Sequence, residues 1–139
     1  MHLATAGGQV MSEFWTVMRR WQDFSGRSSR REFWMFTLVI VIASFVLGFV
    51  DAFLFGGFEP LSEGETFVMP VVSFSNAFSL ITFIPSISVS VRRLHDINRT
   101  GWWLLIGLTL IGLVLIIYWA CVRSDEDHNQ YGASPLATD

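Results

Sequence analysis

His95 and Asp96 stand side by side within Arg92-Arg93-Leu94-His95-Asp96-Ile97-Asn98-Arg99-Thr100-Gly101-Trp102-Trp103, where charged and aromatic side chains are concentrated. A histidine next to a carboxylate offers acid–base chemistry or metal ligation, and clustered arginines offer an anion grip. A metal site needs about three convergent ligands. The other histidines are His2, near the N-terminus, and His128, in the tail. Nucleophilic catalysis needs a serine or cysteine positioned against the histidine. No serine is marked out by spacing, and Cys121, the only cysteine, lies inside an apolar run. One cysteine also rules out a disulfide within the chain. A structural ion-pair network fits these residues better than an active site. In that reading Arg92 and Arg93 mark the edge of an apolar segment, Asp96 pairs with Arg99, Arg30 or Arg31, and Thr100 or Asn98 caps the next helix. His95, with an ordinary pKa of about 6.5, has the capacity to sense pH. No catalytic residue, metal ligand or cofactor is expected. The acidic segment Asp125-Glu126-Asp127-His128-Asn129 lacks the glycine and spacing of a calcium loop.

The elements that hold this stretch are apolar. Hydrophobic residues make up 52% of the 139-residue chain and charged residues 15%, with a mean hydropathy of +0.48. Ordinary soluble domains carry about a quarter charged residues. No charged residue falls within 33–50, 67–91 or 102–122, and each run reaches the roughly 18 residues that cross a bilayer. All nine basic residues are arginine, and they are unevenly placed. Residues 1–32 hold five of them and 92–103 hold three, whereas 56–70 holds none and three glutamates, Glu59, Glu63 and Glu65. Basic residues concentrate in cytoplasmic segments, so the N-terminus and the 92–103 stretch are expected inside and the 56–70 loop outside. Each arginine cluster abuts an apolar run, which argues against nucleic acid as a partner.

The expected fold is an all-α membrane protein, with an N-terminal amphipathic interfacial helix and three transmembrane helices. Residues 1–10 are expected to form a disordered or mis-started leader, residues 11–135 a single membrane domain, and residues 123–139 a polar tail. Phe14, Val17, Met18 and Trp21 recur at helical spacing and predict a helix over 13–24, lying on the membrane surface. The alternative is a helix packed on a partner. Ser28 or Ser29 is a predicted N-cap for the first span, 31–55, with Arg27, Arg30, Arg31 and Glu32 at its entrance and Trp34 as an interface anchor. Asp51, near the far end of that span, is expected to be solvated or to cap a helix. In the second span, 67–91, Ser75, Ser79, Thr82, Ser86 and Ser90 fall on one face and predict a helix-packing surface. Pro85 is expected to kink that helix. The third span, 102–122, carries Trp102-Trp103 at one end and Tyr118-Trp119 at the other, as belts on opposite membrane surfaces. That would put the tail outside, whereas a broken, re-entrant segment would return it to the cytoplasm.

Three blocks resemble one family. Gly26-Arg27-Ser28-Ser29-Arg30-Arg31-Glu32-Phe33-Trp34 is similar to its G-R-x-x-R-x-E-[FY]-W entrance. Arg92-Arg93-Leu94-His95-Asp96 with Arg99-Thr100-Gly101-Trp102-Trp103 is similar to R-R-L-H-D-x-x-R-S-G-W-W. Asn129-Gln130-Tyr131-Gly132 with Pro135 is similar to N-R-Y-G-x-D-P. The chain thus resembles the domain of unknown function 805 family, the YhaH-like bacterial inner-membrane proteins, over about 11–135. It departs at Ile97-Asn98, where Thr-Gly is usual, and at Gln130 and Ser134. The resemblance implies a small multi-span protein of the bacterial inner membrane and carries over no catalytic residue. It further implies that the first two blocks meet, with Glu32 and Asp96 each paired to an arginine of the other block. The expected role is that of an interaction or accessory protein. Its partners would be the lipid bilayer, a second copy of the chain, or another membrane protein. The rival expectation is a subunit of a small oligomeric channel or transporter, which requires the hydroxyl face to meet water.

Overall fold

The computed structural model describes residues 2–55, 73–125 and 128–135, and within these it is helical. The expected outer loop at 56–70 and the beginning of the expected second span lie outside the described residues. Helix α1 spans His2–Arg19, so it begins upstream of the expected Glu13 and stops short of Phe24. Its apolar side is turned onto the rest of the chain. Phe14, Val17 and Met18 pack with Phe33, Phe36 and Ile40, and with Val89 further along. The rings of Phe14 and Phe36 stack at 5.5 Å. The helix ends because the following turn finds better partners elsewhere. Arg20 pairs with Asp23 at 2.7 Å, and Asp23 accepts hydrogen bonds from the Ser25 amide and hydroxyl. The carbonyls of Arg20 and Asp23 then accept from the buried Ser88 hydroxyl at 3.2 and 2.6 Å.

Helix α2 spans Arg30–Leu54, and Ser29 caps it by accepting from the Glu32 amide at 3.2 Å. Helix α3 spans Phe74–Asp96 and runs unbroken through Pro85. At 25 and 23 residues these helices are about 37 and 34 Å long, enough for a hydrocarbon core of about 30 Å. Both are long and apolar enough to cross a membrane. Their outer sides expose large apolar side chains, among them Phe45, Phe53 and Leu80, a surface that water does not tolerate over such an area. At one end the pair is tied by Asp51. Its carboxylate is fully buried and accepts from the Phe74 amide at 2.9 Å and from the Ser75 amide and hydroxyl at 2.8 and 2.6 Å. Asp51 therefore caps α3 from α2 and is not solvated.

At the other end, α3 continues beyond the apolar run, so that Arg92–Asp96 form its last turns and not a loop. Asn98 stops it in the left-handed region with φ of 56°. The Asn98 and Arg99 amides bond back to the His95 and Leu94 carbonyls at 3.0 and 2.9 Å. Asparagine is the residue that most readily replaces glycine in this geometry, and it stands where the family pattern has glycine.

The third apolar run corrects the expectation of one continuous helix over 102–122. It is a 3-10 segment, Gly101–Leu108, followed after Thr109 by a short helix α4, Leu110–Cys121. The two pieces fold against each other. The backbone is extended at Thr109, whose hydroxyl accepts from the Gly112 amide at 3.0 Å and caps α4. Gly112 is forced by the fold: a Cβ there would sit 1.8 Å from the Ile106 carbonyl oxygen. Gly107 similarly leaves room for Ile116. Trp103 and Trp119, expected as belts at opposite ends, meet edge to face at 5.5 Å. α4, at 12 residues, is about 18 Å long and too short to cross by itself.

Candidate functional site

The beginning of α2, the last turns of α3, the end of α4 and the tail converge on one polar cluster. Ahead of α2 the chain is extended, and the Ser28 amide bonds to the Arg92 carbonyl at 3.1 Å. This pairing aims Arg27 and Glu32 at α3. Arg27 Nε donates to Asp96 Oδ1 at 3.0 Å, and Arg92 Nη1 donates to Glu32 Oε1 at 2.9 Å. The other Glu32 oxygen accepts from the Ser28 hydroxyl at 2.8 Å. Asp96 accepts a second guanidinium, that of Arg93, from the preceding turn of its own helix. The Arg27 and Asp96 side chains are 1% and 0% exposed. Two carboxylates thus face three arginines in a nearly dry space.

The remaining positive charge is met by helix-end carbonyls. Arg93 donates to the carbonyls of Trp119, Ala120 and Val122 and to the Ser124 hydroxyl, closing the C-terminal end of α4. Those carbonyls have no partner inside the helix and carry its negative dipole end. Arg92, fully buried, is less well served: Nε and Nη2 have no hydrogen-bond partner among the described residues.

The tail is stitched to the same cluster. Arg27 donates to the carbonyls of Asp125 and Gly132, and the Asp125 amide bonds to the Asp96 carbonyl at 3.3 Å. Asn129 Nδ2 donates to the His95 carbonyl at 2.9 Å. The Tyr131 ring lies flat on the His95 ring at 3.8 Å. His95 Nδ1 is 3.2 Å from the Gly26 carbonyl. The His95 ring is therefore clamped between the lead-in to α2 and the tail.

Other expected positions fall differently. Arg30, Arg31 and Arg99 are not the partners of Asp96. Arg31 reaches Glu13 at 3.6 Å and Gln9 at 2.8 Å, Arg99 lies over Trp119 at 4.5 Å, and Arg30 points outward. Trp34, Trp102 and Tyr118 are exposed. On the hydroxyl face, Thr82, Ser86 and Ser90 donate to carbonyls one turn back in α3 at 2.7–2.8 Å, so they do not bridge helices. Ser75 alone reaches another helix, at Asp51, while Ser79 is exposed. Spacing alone did not mark Ser88, which ties the α1–α2 turn to α3. Asn129 and Tyr131 carried a signal only as part of the third block. Among the described residues no three His, Cys, Asp or Glu side chains lie together as a metal site.

These features define a small helical protein with two bilayer-length apolar helices and one polar, ion-paired end. The chain belongs to the family described as "Protein of unknown function (DUF805)", whose model matches residues 21–133. It is 34% identical over 126 residues to the inner membrane protein YhaH of Escherichia coli K12, covering 90% of this chain and 97% of that protein. It is 32% identical over 126 residues to the inner membrane protein YhaI of the same strain, covering 90% and 96%. No solved structure matches.

Proposed function

We propose that the protein is a two-span protein of the bacterial inner membrane whose arginine–carboxylate end faces the cytoplasm and serves as a docking platform for a protein partner. In this reading α2 and α3 cross the bilayer. The Gly101–Cys121 segment is a re-entrant hairpin that enters and leaves on the cytoplasmic side. α1 lies at the same surface, its exposed Met11 and Trp15 in the headgroup layer.

The observation that carries the proposal is the tail bonded to Arg27 and His95, residues at the entrance of α2 and the end of α3. Three full crossings would put about 30 Å of hydrocarbon between those groups. The arginine distribution supplies the sidedness. The relatives' names support the inner membrane. Catalysis by Arg27, Glu32, Arg92, Arg93 and Asp96 is disfavoured because they are buried and bonded to one another or to carbonyls. No substrate reaches groups held in that way. A partner would meet the exposed side chains around them, such as Arg30 and Arg99.

Topology reporters test the reading. A phosphatase inserted after Glu63 should be active, and a fluorescent protein fused after Pro135 should fluoresce. Phosphatase activity from a fusion after Pro135 would overturn the hairpin, and fluorescence at Glu63 would overturn the orientation.

A further inference from the structure

Between the first turn of α2 and the end of α4 lies an open cavity of about 600 Å³. Ser29, Arg30 and Arg31 form its polar end, and Trp34, Met35 and Cys121 form its apolar wall. The charge around it is unbalanced. Arg30 is exposed and, among the described residues, has no ion-pair or hydrogen-bond partner. It is also close enough to the buried Arg93 for the two to repel. Arg31, 53% exposed, is held from the α1 side by Gln9 at 2.8 Å and by Glu13 at 3.6 Å. Glu32, the acid of this turn, is turned away toward Arg92. Two cations therefore sit at the positive end of the α2 dipole, the sign of charge that a helix N-terminus disfavours. An anion placed between them would relieve both effects.

We infer that this cavity binds the phosphate of an anionic phospholipid between Arg30 and Arg31, with the glycerol and acyl portion along Trp34, Met35 and Cys121. Guanidinium groups suit phosphate oxygens because they offer paired donors. The indole of Trp34 belongs at headgroup depth. The apolar wall continuing from the cations favours a lipid over a free phosphate ion. This inference rests on the membrane placement proposed above, but not on which side of the membrane the cavity faces.

The test uses the full chain in neutral detergent, blind to sidedness, with phosphatidylglycerol and phosphatidylcholine added in equal amounts and retained lipid counted by native mass spectrometry. Phosphatidylglycerol should be retained over phosphatidylcholine by about tenfold. Both carry the phosphodiester, but the choline ammonium of the second places a like charge beside Arg30 and Arg31, a repulsion of about that size at close range near a surface. Arg30→Gln should abolish most of that preference, and Arg30→Lys should keep part of it. Arg19→Gln, which removes the same charge from an exposed position on α1, should leave it within about twofold. Circular dichroism should show all three variants folded, since the Arg30 side chain is outside the buried cluster. Equal losses from Arg19→Gln and Arg30→Gln would overturn the site in favour of diffuse charge attraction, and no loss from Arg30→Gln would overturn it outright. Displacement of the lipid by an equal concentration of soluble glycerol phosphate would overturn the lipid as the ligand.

Discussion

Removing the carboxylate of Asp96 should be the most damaging single change to the polar end. The side chain is 0% exposed and neutralises two guanidinium groups, Arg27 at 3.0 Å and Arg93. Breaking one buried ion pair costs about 3–5 kcal/mol, because the surviving charge is left without a partner. Asp96→Asn strands two such charges while keeping shape and some hydrogen bonding, so a loss of about 5 kcal/mol is expected. Arg27→Gln strands none completely, since Asp96 keeps Arg93, and about 3 kcal/mol is expected. The double variant should lose about 2 kcal/mol less than the sum, the coupling expected of groups in one network. Denaturant unfolding in a mild detergent, followed by tryptophan fluorescence, measures all four corners of the cycle. Trp119 and Trp103 pack beside Arg93's carbonyl partners and should report the release of α4. A loss under about 1 kcal/mol for Asp96→Asn, or additivity within about 0.5 kcal/mol, would refute the buried pair.

Further consequences are open to measurement. Gly112→Ala forces a methyl group into the Ile106 carbonyl, so the hairpin must open. A loss of about 2–3 kcal/mol is expected in the same unfolding assay, against a gain of up to about 1 kcal/mol if the segment were one straight helix. Asn98→Gly should be neutral or stabilise by up to about 1 kcal/mol, because φ is 56° there, while Asn98→Val should destabilise by about 1–2 kcal/mol. Asp23 is held at a pKa of about 2 by the Ser25 hydroxyl first and Arg20 second. Since this folded value lies below the ordinary value of 3.8, its contribution is complete above about pH 5 and disappears as pH falls toward 2. A carboxyl NMR titration locates the step, and Asp23→Asn should remove it from the acid limb of the stability curve.

Much of the molecule was legible because charge and hydropathy act over whole segments. The apolar run after Arg31 becomes α2, and Glu32 and Asp96 are paired to arginines of the opposite block. The identity of one partner was not legible. Arg27 lies in the extended lead-in and turns inward, whereas Arg30, on the first helical turn, points away. Which way an arginine beside a helix start will face depends on where the cap falls, a matter of one residue. The hairpin was legible only as an alternative to a full crossing, and for a different reason. Hydropathy measures length in residues, and 102–122 is long enough to span whether or not it bends. Only Gly107 and Gly112 mark the bend, by permitting contacts with Ile116 and Ile106. The hydroxyl face was a true spacing whose hydroxyls bond within their own helix. Serine and threonine on an apolar helix can satisfy themselves on the carbonyl one turn back, as Thr82, Ser86 and Ser90 do. Spacing fixes the face and leaves the acceptor undetermined.

The central claim is that the tail folds back onto the entrance of α2. Spin labels at Ser25→Cys and Ala133→Cys, both exposed positions, in a Cys121→Ala background, measure this separation by pulsed electron resonance in lipid nanodiscs. A single distribution well below the bilayer thickness of about 30 Å is expected; a distribution centred at or beyond that thickness would contradict it.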